Sequence, residues 1–257
     1  MSLRICSLSS GSSGNCTYVA SDKTAILIDA GIPSERIERS LKVLGADTGS
    51  LSVLVTHTHN DHIANLAFAS ACGAKVYAHF LSAPDVLRRG RFSFTEFGDG
   101  EFAIGDILIT PFRVPHDVPC VGYTLRCQNR AVSILTDLGE ADGQTVGEAA
   151  LSDVVLIESN HDEGLVQRGA YPWPLKKRIL SRQGHLSNAA CAEACARLAG
   201  GRVRQIILGH LSRENNYPEL AFNTVSARLS AAGCVEGKDI SLEVAPASRM
   251  SGLYEIV

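Results

Sequence analysis

Thr56-His57-Thr58-His59-Asn60-Asp61-His62 follows directly on the apolar run Leu51-Ser52-Val53-Leu54-Val55. The run has the length and composition of a buried strand, and three imidazoles with one carboxylate leave its end within seven residues. In an extended turn His57 and His59 project to the same side, while Asp61 and His62 fall at the start of the helix that follows. Imidazole nitrogen with a single carboxylate is a borderline donor set, suited to zinc, manganese or iron rather than to calcium or magnesium. A lone histidine is ordinarily packed or at the surface. Four ligand-type residues so close together read as a metal site, with a spacing that can serve two ions at once.

Two ions need more ligands, and the sequence offers them in the same style. His116 follows the strand pattern of 107–114, Asp137 ends Val132-Ser133-Ile134-Leu135-Thr136, and His210 ends Gln205-Ile206-Ile207-Leu208-Gly209. Each stands where a buried strand emerges, which is where α/β sheets gather ligands.

Strand patterns at 4–9, 17–20, 25–29, 51–55 and 75–78 alternate with helical ones at 33–44, 62–71 and 83–89. The stretch 92–135 changes character, with alternating runs at 92–97, 106–114, 120–127 and 131–135 that suggest antiparallel strands. Strands near 153–158, 204–208, 240–245 and 251–256 then interleave with helices near 143–150, 187–199 and 219–232. Ser9-Ser10-Gly11-Ser12-Ser13-Gly14 lies between two strand patterns and reads as a turn. With no linker or internal repeat, this order fits an α/β chain forming one αβ/βα sandwich over 1–257, two mixed sheets face to face with helices outside.

Composition narrows the function classes. Of 257 residues 45% are hydrophobic and 20% charged, which is globular, and the net charge of −3 makes any nucleic-acid surface a local one. No apolar stretch reaches about 18 residues, so no membrane span is expected. Met1 to Leu8 reads as a first strand and not as a signal peptide. The eight cysteines include no CxxC pair and suit reduced thiols in a cytoplasmic protein. Cys191 and Cys195 share a helix face but have no third sulfur, so they read as core residues.

His-x-His-x-Asp-His, followed by a His, an Asp and a His at strand ends, resembles the metallo-β-lactamase superfamily across nearly the whole chain. The resemblance implies one ion on His57, His59 and His116, a second on Asp61, His62 and His210, and Asp137 bridging them. Asp29, in Leu27-Ile28-Asp29-Ala30-Gly31, matches a residue that orients ligands. Two such divalent ions, zinc or manganese, lower the pKa of a shared water to near 7 and polarise a carbonyl or phosphoryl oxygen. The reaction class is therefore hydrolysis.

The segment between Glu158 and Ser187 bears on the substrate. Glu158-Ser159-Asn160-His161-Asp162 ends a strand, and Gln183-Gly184-His185-Leu186-Ser187-Asn188 opens a helix, where a histidine can protonate a leaving alkoxide. Tyr171-Pro172-Trp173 stands beside Lys176, Lys177, Arg178 and Arg182, aromatic faces with phosphate-binding charge that suit single-stranded nucleic acid; a solvated helix face is the other reading. These motifs, with Ser7 to Asn15, resemble the YycJ/WalJ-type exonucleases, which implies 5′→3′ digestion of 5′-phosphorylated DNA. By that resemblance His185 is the general acid, and His161 with Ser12 or Ser13 holds a phosphate. The expected catalytic residues are thus His185, Asp61 and His161, and the expected substrate contacts Ser12, Ser13, Lys176 and Asn188. Asn15 and Asn160 read as turn caps, and Arg213 as reaching either a phosphate or Glu214 or Glu219. A cyclic phosphodiesterase or glyoxalase II-like thioesterase, or a non-catalytic metal-binding protein, are the alternative functions.

Overall fold

The computed structural model describes residues 2–256. β1 (Leu3–Ser9), β2 (Cys16–Ala20) and β3 (Ala25–Ile28) run antiparallel, and α1 (Ser34–Val43) carries the chain to β4 (Leu51–Val55), parallel to β3. α2 (Asn60–Ile63) and α3 (Ala67–Cys72) lead to β5 (Lys75–His79), and α4 (Ala83–Leu87) to β6 (Phe94–Phe97), each strand parallel to the one before. The second sheet opens with the antiparallel β7 (Phe102–Ile104), β8 (Ile107–Val114), β9 (Cys120–Cys127) and β10 (Arg130–Leu135). After α5 (Gly143–Ala149), β11 (Val154–Glu158) lies parallel to β10. α6 (Glu163–Arg168), α7 (Trp173–Ile179) and α8 (Asn188–Leu198) precede β12 (Gln205–Gly209), and α9 (Pro218–Ala231) precedes β13 (Ser241–Val244). β14 (Tyr254–Ile256) returns to β1. The sheets are seven-stranded, ordered β14-β1-β2-β3-β4-β5-β6 and β13-β12-β11-β10-β9-β8-β7.

Period-two alternation divides each buried strand between two cores. On β11, Val154 and Leu156 face the layer between the sheets, while Val155 and Ile157 pack under α5, α8 and α9. On β4, Leu54 faces inward and Val53 and Val55 pack under α1 to α4. Both faces of the central strands are covered, which is why they read as continuous apolar runs. The four layers are those expected. The core position expected for Cys191 and Cys195 is also found, their sulfurs 3.8 Å apart under the outer helices. Among the described residues no helix is long and apolar enough to cross a membrane.

The helix expected over 62–71 is broken into α2 and α3. The Asp61 carbonyl accepts from the Asn15 N–H at 2.7 Å, and the Asn65 N–H donates to Ala30 O at 2.9 Å, so the i→i−4 bond between them is replaced. The His62 carbonyl accepts from the Ala30 N–H at 2.8 Å. The metal loop is thereby stitched to the β3 end at the expense of helical continuity. His79 ends β5 buried, with Nε2 3.2 Å from Asp99 Oδ1 and Nδ1 3.3 Å from the Leu81 N–H.

Candidate metal centre

Strand ends deliver the site. Asp29 follows β3, His57 follows β4, His116 follows β8, Asp137 follows β10, and His210 follows β12, all at one edge of the sandwich. Asp29, Asp137 and His210 hold left-handed backbone at φ 64°, 58° and 54°, a conformation costing about 1–3 kcal/mol at a non-glycine residue. Neighbours enforce it: the Asp29 carboxylate accepts from the Thr56 N–H and hydroxyl, both at 2.8 Å, and the His210 N–H donates to Ser10 Oγ at 2.8 Å.

Ligand-type atoms of His57, His59 and His116 lie within 4.8 Å of one another, as do those of Asp61, His62 and His210 and those of His57, His62 and Asp137. The outward nitrogen of each ring has a partner that fixes its tautomer. The Thr56 hydroxyl proton goes to Asp29, so His57 Nδ1, 3.0 Å away, must donate to that hydroxyl, leaving Nε2 with its lone pair. His116 Nδ1 donates to Gly184 O at 3.1 Å. His62 Nδ1 faces Asp29 at 2.6 Å, His210 Nδ1 faces Glu158 at 2.7 Å, and His59 Nε2 faces Asp117 at 3.2 Å. In the neutral rings the remaining nitrogens of His57, His59, His62, His116 and His210 therefore present lone pairs to the clusters.

Two buried atoms there have no hydrogen-bond partner, His57 Nε2 and Asp137 Oδ2. Asp137 Oδ2 is 3.0 Å from His62 Nε2, but off the line of a hydrogen bond. Orphaned donors of electron pairs, buried side by side, fit a divalent cation. The electrostatics agree. Burial pushes the His57 and His116 imidazoles down, keeping them neutral. Burial also opposes charge on His62 and His210, yet Asp137 and its neighbouring carboxylates raise His62 well above its ordinary value and lift His210 to about 10. Asp61 and Asp137 are held low against their own burial, Asp61 by hydrogen bonds from His210 and His62 and Asp137 chiefly by the charges of His210 and His62. A metal ion competes with protons for such a field.

A family model described as the β-lactamase superfamily domain matches residues 24–211, a span containing every ligand-type residue of the clusters. The chain is 36% identical over 249 residues to exodeoxyribonuclease WalJ of Streptococcus pneumoniae serotype 2 (strain D39), covering 91% of each. It is 34% identical over 245 residues to exodeoxyribonuclease YycJ of Bacillus anthracis, again covering 91% of each. The chain belongs to the metallo-β-lactamase superfamily. In fold it is similar to the metallo-β-lactamase fold protein YhfI from Bacillus subtilis, with a TM-score of 0.77 at 14% identity over 99% of this chain and 100% of that one.

On this metallo-β-lactamase scaffold the other expected site residues fall in different places. His185 Nδ1 sits 2.8 Å from Glu158 Oε1 and 3.6 Å from Asp137 Oδ1, beside the clusters. Burial works against its proton, but the Glu158 charge prevails and raises its pKa. His161 is buried near Glu158 and His185, its Nδ1 without a partner, and burial lowers its pKa. Ser12 and Ser13 form the exposed tip of the β1–β2 turn. Lys176 is on α7, where Nζ donates to Gln167 O at 2.8 Å, and Trp173 is 69% exposed on the same helix. Asn188 departs from its expected role as a substrate contact. It is buried, and its amide is spent on the Ser159 hydroxyl at 2.7 Å and on Asn216 at 2.9 and 3.0 Å.

Glu158 is the residue that sequence reasoning undervalued. Wholly buried, it meets both His185 and His210 and accepts the Leu138 and Leu186 N–H groups at 3.0 and 3.2 Å. Burial alone would raise its pKa, yet His185 and His210 draw it down to about 2. Its signal was a carboxylate closing the apolar run Val154-Val155-Leu156-Ile157. Asn15 and Asn160 also do more than cap turns: Asn15 Nδ2 lies 2.9 Å from His62 Nε2, and Asn160 Nδ2 donates to His210 O at 2.8 Å.

Proposed function

We propose that this chain is a dinuclear-metal-dependent exodeoxyribonuclease that shortens 5′-phosphorylated DNA from the 5′ end. His57, His59 and His116 would hold one ion, Asp61, His62 and His210 the other, and Asp137 would bridge them. When bound, the two cations, zinc or manganese, supply Lewis acidity that lowers the pKa of water and polarises a phosphoryl oxygen.

The observation that carries the phosphodiester reading is the His185–Glu158 pair at 2.8 Å. Glu158 accepts from Nδ1–H of His185, and its charge raises the ring's pKa and so favours the imidazolium, whose second proton sits on Nε2, a nitrogen that no described residue bonds. That nitrogen would present a proton to the departing 3′-alkoxide. A thioester's thiolate, with a pKa near 8.5, leaves without such help, so an oriented acid argues for an alkoxide leaving group. His161, Ser12 and Ser13 would take the terminal or scissile phosphate, and Lys176 with Trp173 would border the incoming strand. Asp61 would steady the water side of the reaction. The exodeoxyribonuclease names of the relatives support the same substrate. Eight free cysteines support a cytoplasmic setting.

His185→Ala tests the reading. Turnover of an end-labelled 5′-phosphorylated oligonucleotide should fall by about 10²–10⁴-fold, the ordinary contribution of a general acid, with metal content unchanged. Cleavage at the wild-type rate would remove His185 from the mechanism. Hydrolysis of thioesters alone by the wild type would overturn the nuclease assignment.

A further inference from the structure

On the flank of the metal centre nearest His210 lies a cleft of about 560 Å³, bordered by Ser10, Leu211, Arg213, Tyr217, Pro246 and Arg249. That volume is in the range of small-ligand sites. The cleft adjoins the metal centre, because Ser10 Oγ accepts the His210 N–H at 2.8 Å and Leu211 is the next residue. Its floor is apolar, made with Val244 and Ala245, and its rim carries the Tyr217 side chain at the start of α9, with the residue 52% exposed.

Two exposed cations complete the rim. Neither Arg213 nor Arg249 makes a hydrogen bond or ion pair with any described residue. Arg213 has Glu214 beside it in sequence and Glu219 on the same cleft, and pairs with neither. A guanidinium that leaves adjacent carboxylates alone is free for an external anion, and its planar fork matches phosphate. An apolar floor, an aromatic face and two free guanidinium groups are what a nucleotide needs: a surface for the base and charge for its phosphate.

We infer that this cleft receives the nucleotide adjoining the scissile phosphodiester, its base against Tyr217 and its phosphate between Arg213 and Arg249. The inference rests on the nuclease reading above. It also gives the strand a path. α7 touches the opposite flank, where Arg178 Nη1 meets Asp117 Oδ2 at 3.1 Å beside His59 and His116. DNA would run from α7 across the metal centre into the Tyr217 cleft.

The test compares two probes on the metal-loaded full chain: a 5′-phosphorylated single-stranded oligonucleotide, and bis(p-nitrophenyl) phosphate, too small to reach the cleft. For Tyr217→Ala, KM for the oligonucleotide should rise about tenfold, the loss being several-fold larger than for the small ester, and Tyr217→Phe should restore it. For the double variant Arg213→Ala with Arg249→Ala, the slope of log KM against log salt should shrink by about 0.7, the value for one phosphate contact on a single strand. Both arginines are exposed, so this arm holds even if Tyr217→Ala folds poorly. An oligonucleotide KM within about twofold of wild type in both arms, with the salt slope intact, overturns the cleft while leaving the nuclease reading standing. A wild type that hydrolyses the small ester but no DNA overturns both.

Discussion

Gly31 is where the β3 end and the metal loop touch, and replacing it by alanine is the sharpest test of how the site is held. A Cβ at this position would stand 1.7 Å from the Asp61 carbonyl oxygen, 2.3 Å from its carbon and 2.9 Å from Asn15 N. Ordinary contact begins near 3.4 Å, so the Asp61 backbone must retreat by about 1.7 Å. Three bonds span that seam: Asn15 N–H to Asp61 O, Ala30 N–H to His62 O, and Asn65 N–H to Ala30 O, at 2.7, 2.8 and 2.9 Å. At about 1 kcal/mol each their loss totals about 3 kcal/mol, which for a chain of this size lowers Tm by about 6–12 °C. A displacement beyond 1 Å at catalytic ligands costs about 100-fold or more in rate. The expected result for Gly31→Ala is a folded protein by circular dichroism that has lost metal from the Asp61–His62–His210 cluster and retains it at His57, His59 and His116. Elemental analysis after dialysis and initial rates on labelled DNA measure both quantities. Full metal content with a wild-type rate would refute the idea that this glycine sets the position of Asp61.

Glu158→Gln should keep the fold and cut kcat more than KM, by about 100-fold or more, because both His185 and His210 lose the charge that orients them; metal affinity should weaken by about 10–100-fold in a parallel titration. Gly184→Ala places a Cβ 2.2 Å from Arg178 O and 2.3 Å from Ile179 O, shifting the segment that carries His185 and the carbonyl that accepts from His116 Nδ1, so activity should fall and metal affinity should weaken with it, read by rate and metal titration. Asp106 is kept below its ordinary pKa of 3.8, burial being outweighed by hydrogen bonds from Ser21 and Thr24 at 2.7 Å each. A depressed folded pKa adds stability above the ordinary value that disappears as pH falls through the folded one, so Asp106→Asn should cost about 1–2 kcal/mol at pH 6 and progressively less as the carboxylate is titrated by acid, read by urea unfolding at each pH.

The sequence disclosed the sandwich and the places where ligand-type residues leave it, because strand ends are marked by simple signals: apolar runs closing on Asp29, His57, Asp137 and His210. It disclosed less where one atom answers to several distant segments. Glu158 lies 27 residues from His185 and 52 from His210, and no periodicity joins positions so far apart. The break between α2 and α3 was hidden for the same reason, since the competing partners of Asp61 and Asn65 are Asn15 and Ala30. Asn188 misled in the other direction. The first residue of a helix is commonly wet, but here Ser159 and Asn216 enclose it. Arg213 could be read two ways from its neighbours, and the fold leaves it unpaired by Glu214 and Glu219.

The clusters around His57 and His62 are not built by either sheet alone. His57, His59, Asp61 and His62 leave the end of β4, whereas His116, Asp137 and His210 leave β8, β10 and β12, so each of those constellations straddles the seam between the two halves. A cation captured there is a rivet. During folding it can be gripped only after both halves have docked, and once gripped it resists their separation, so chelators should accelerate unfolding by releasing one half from the other.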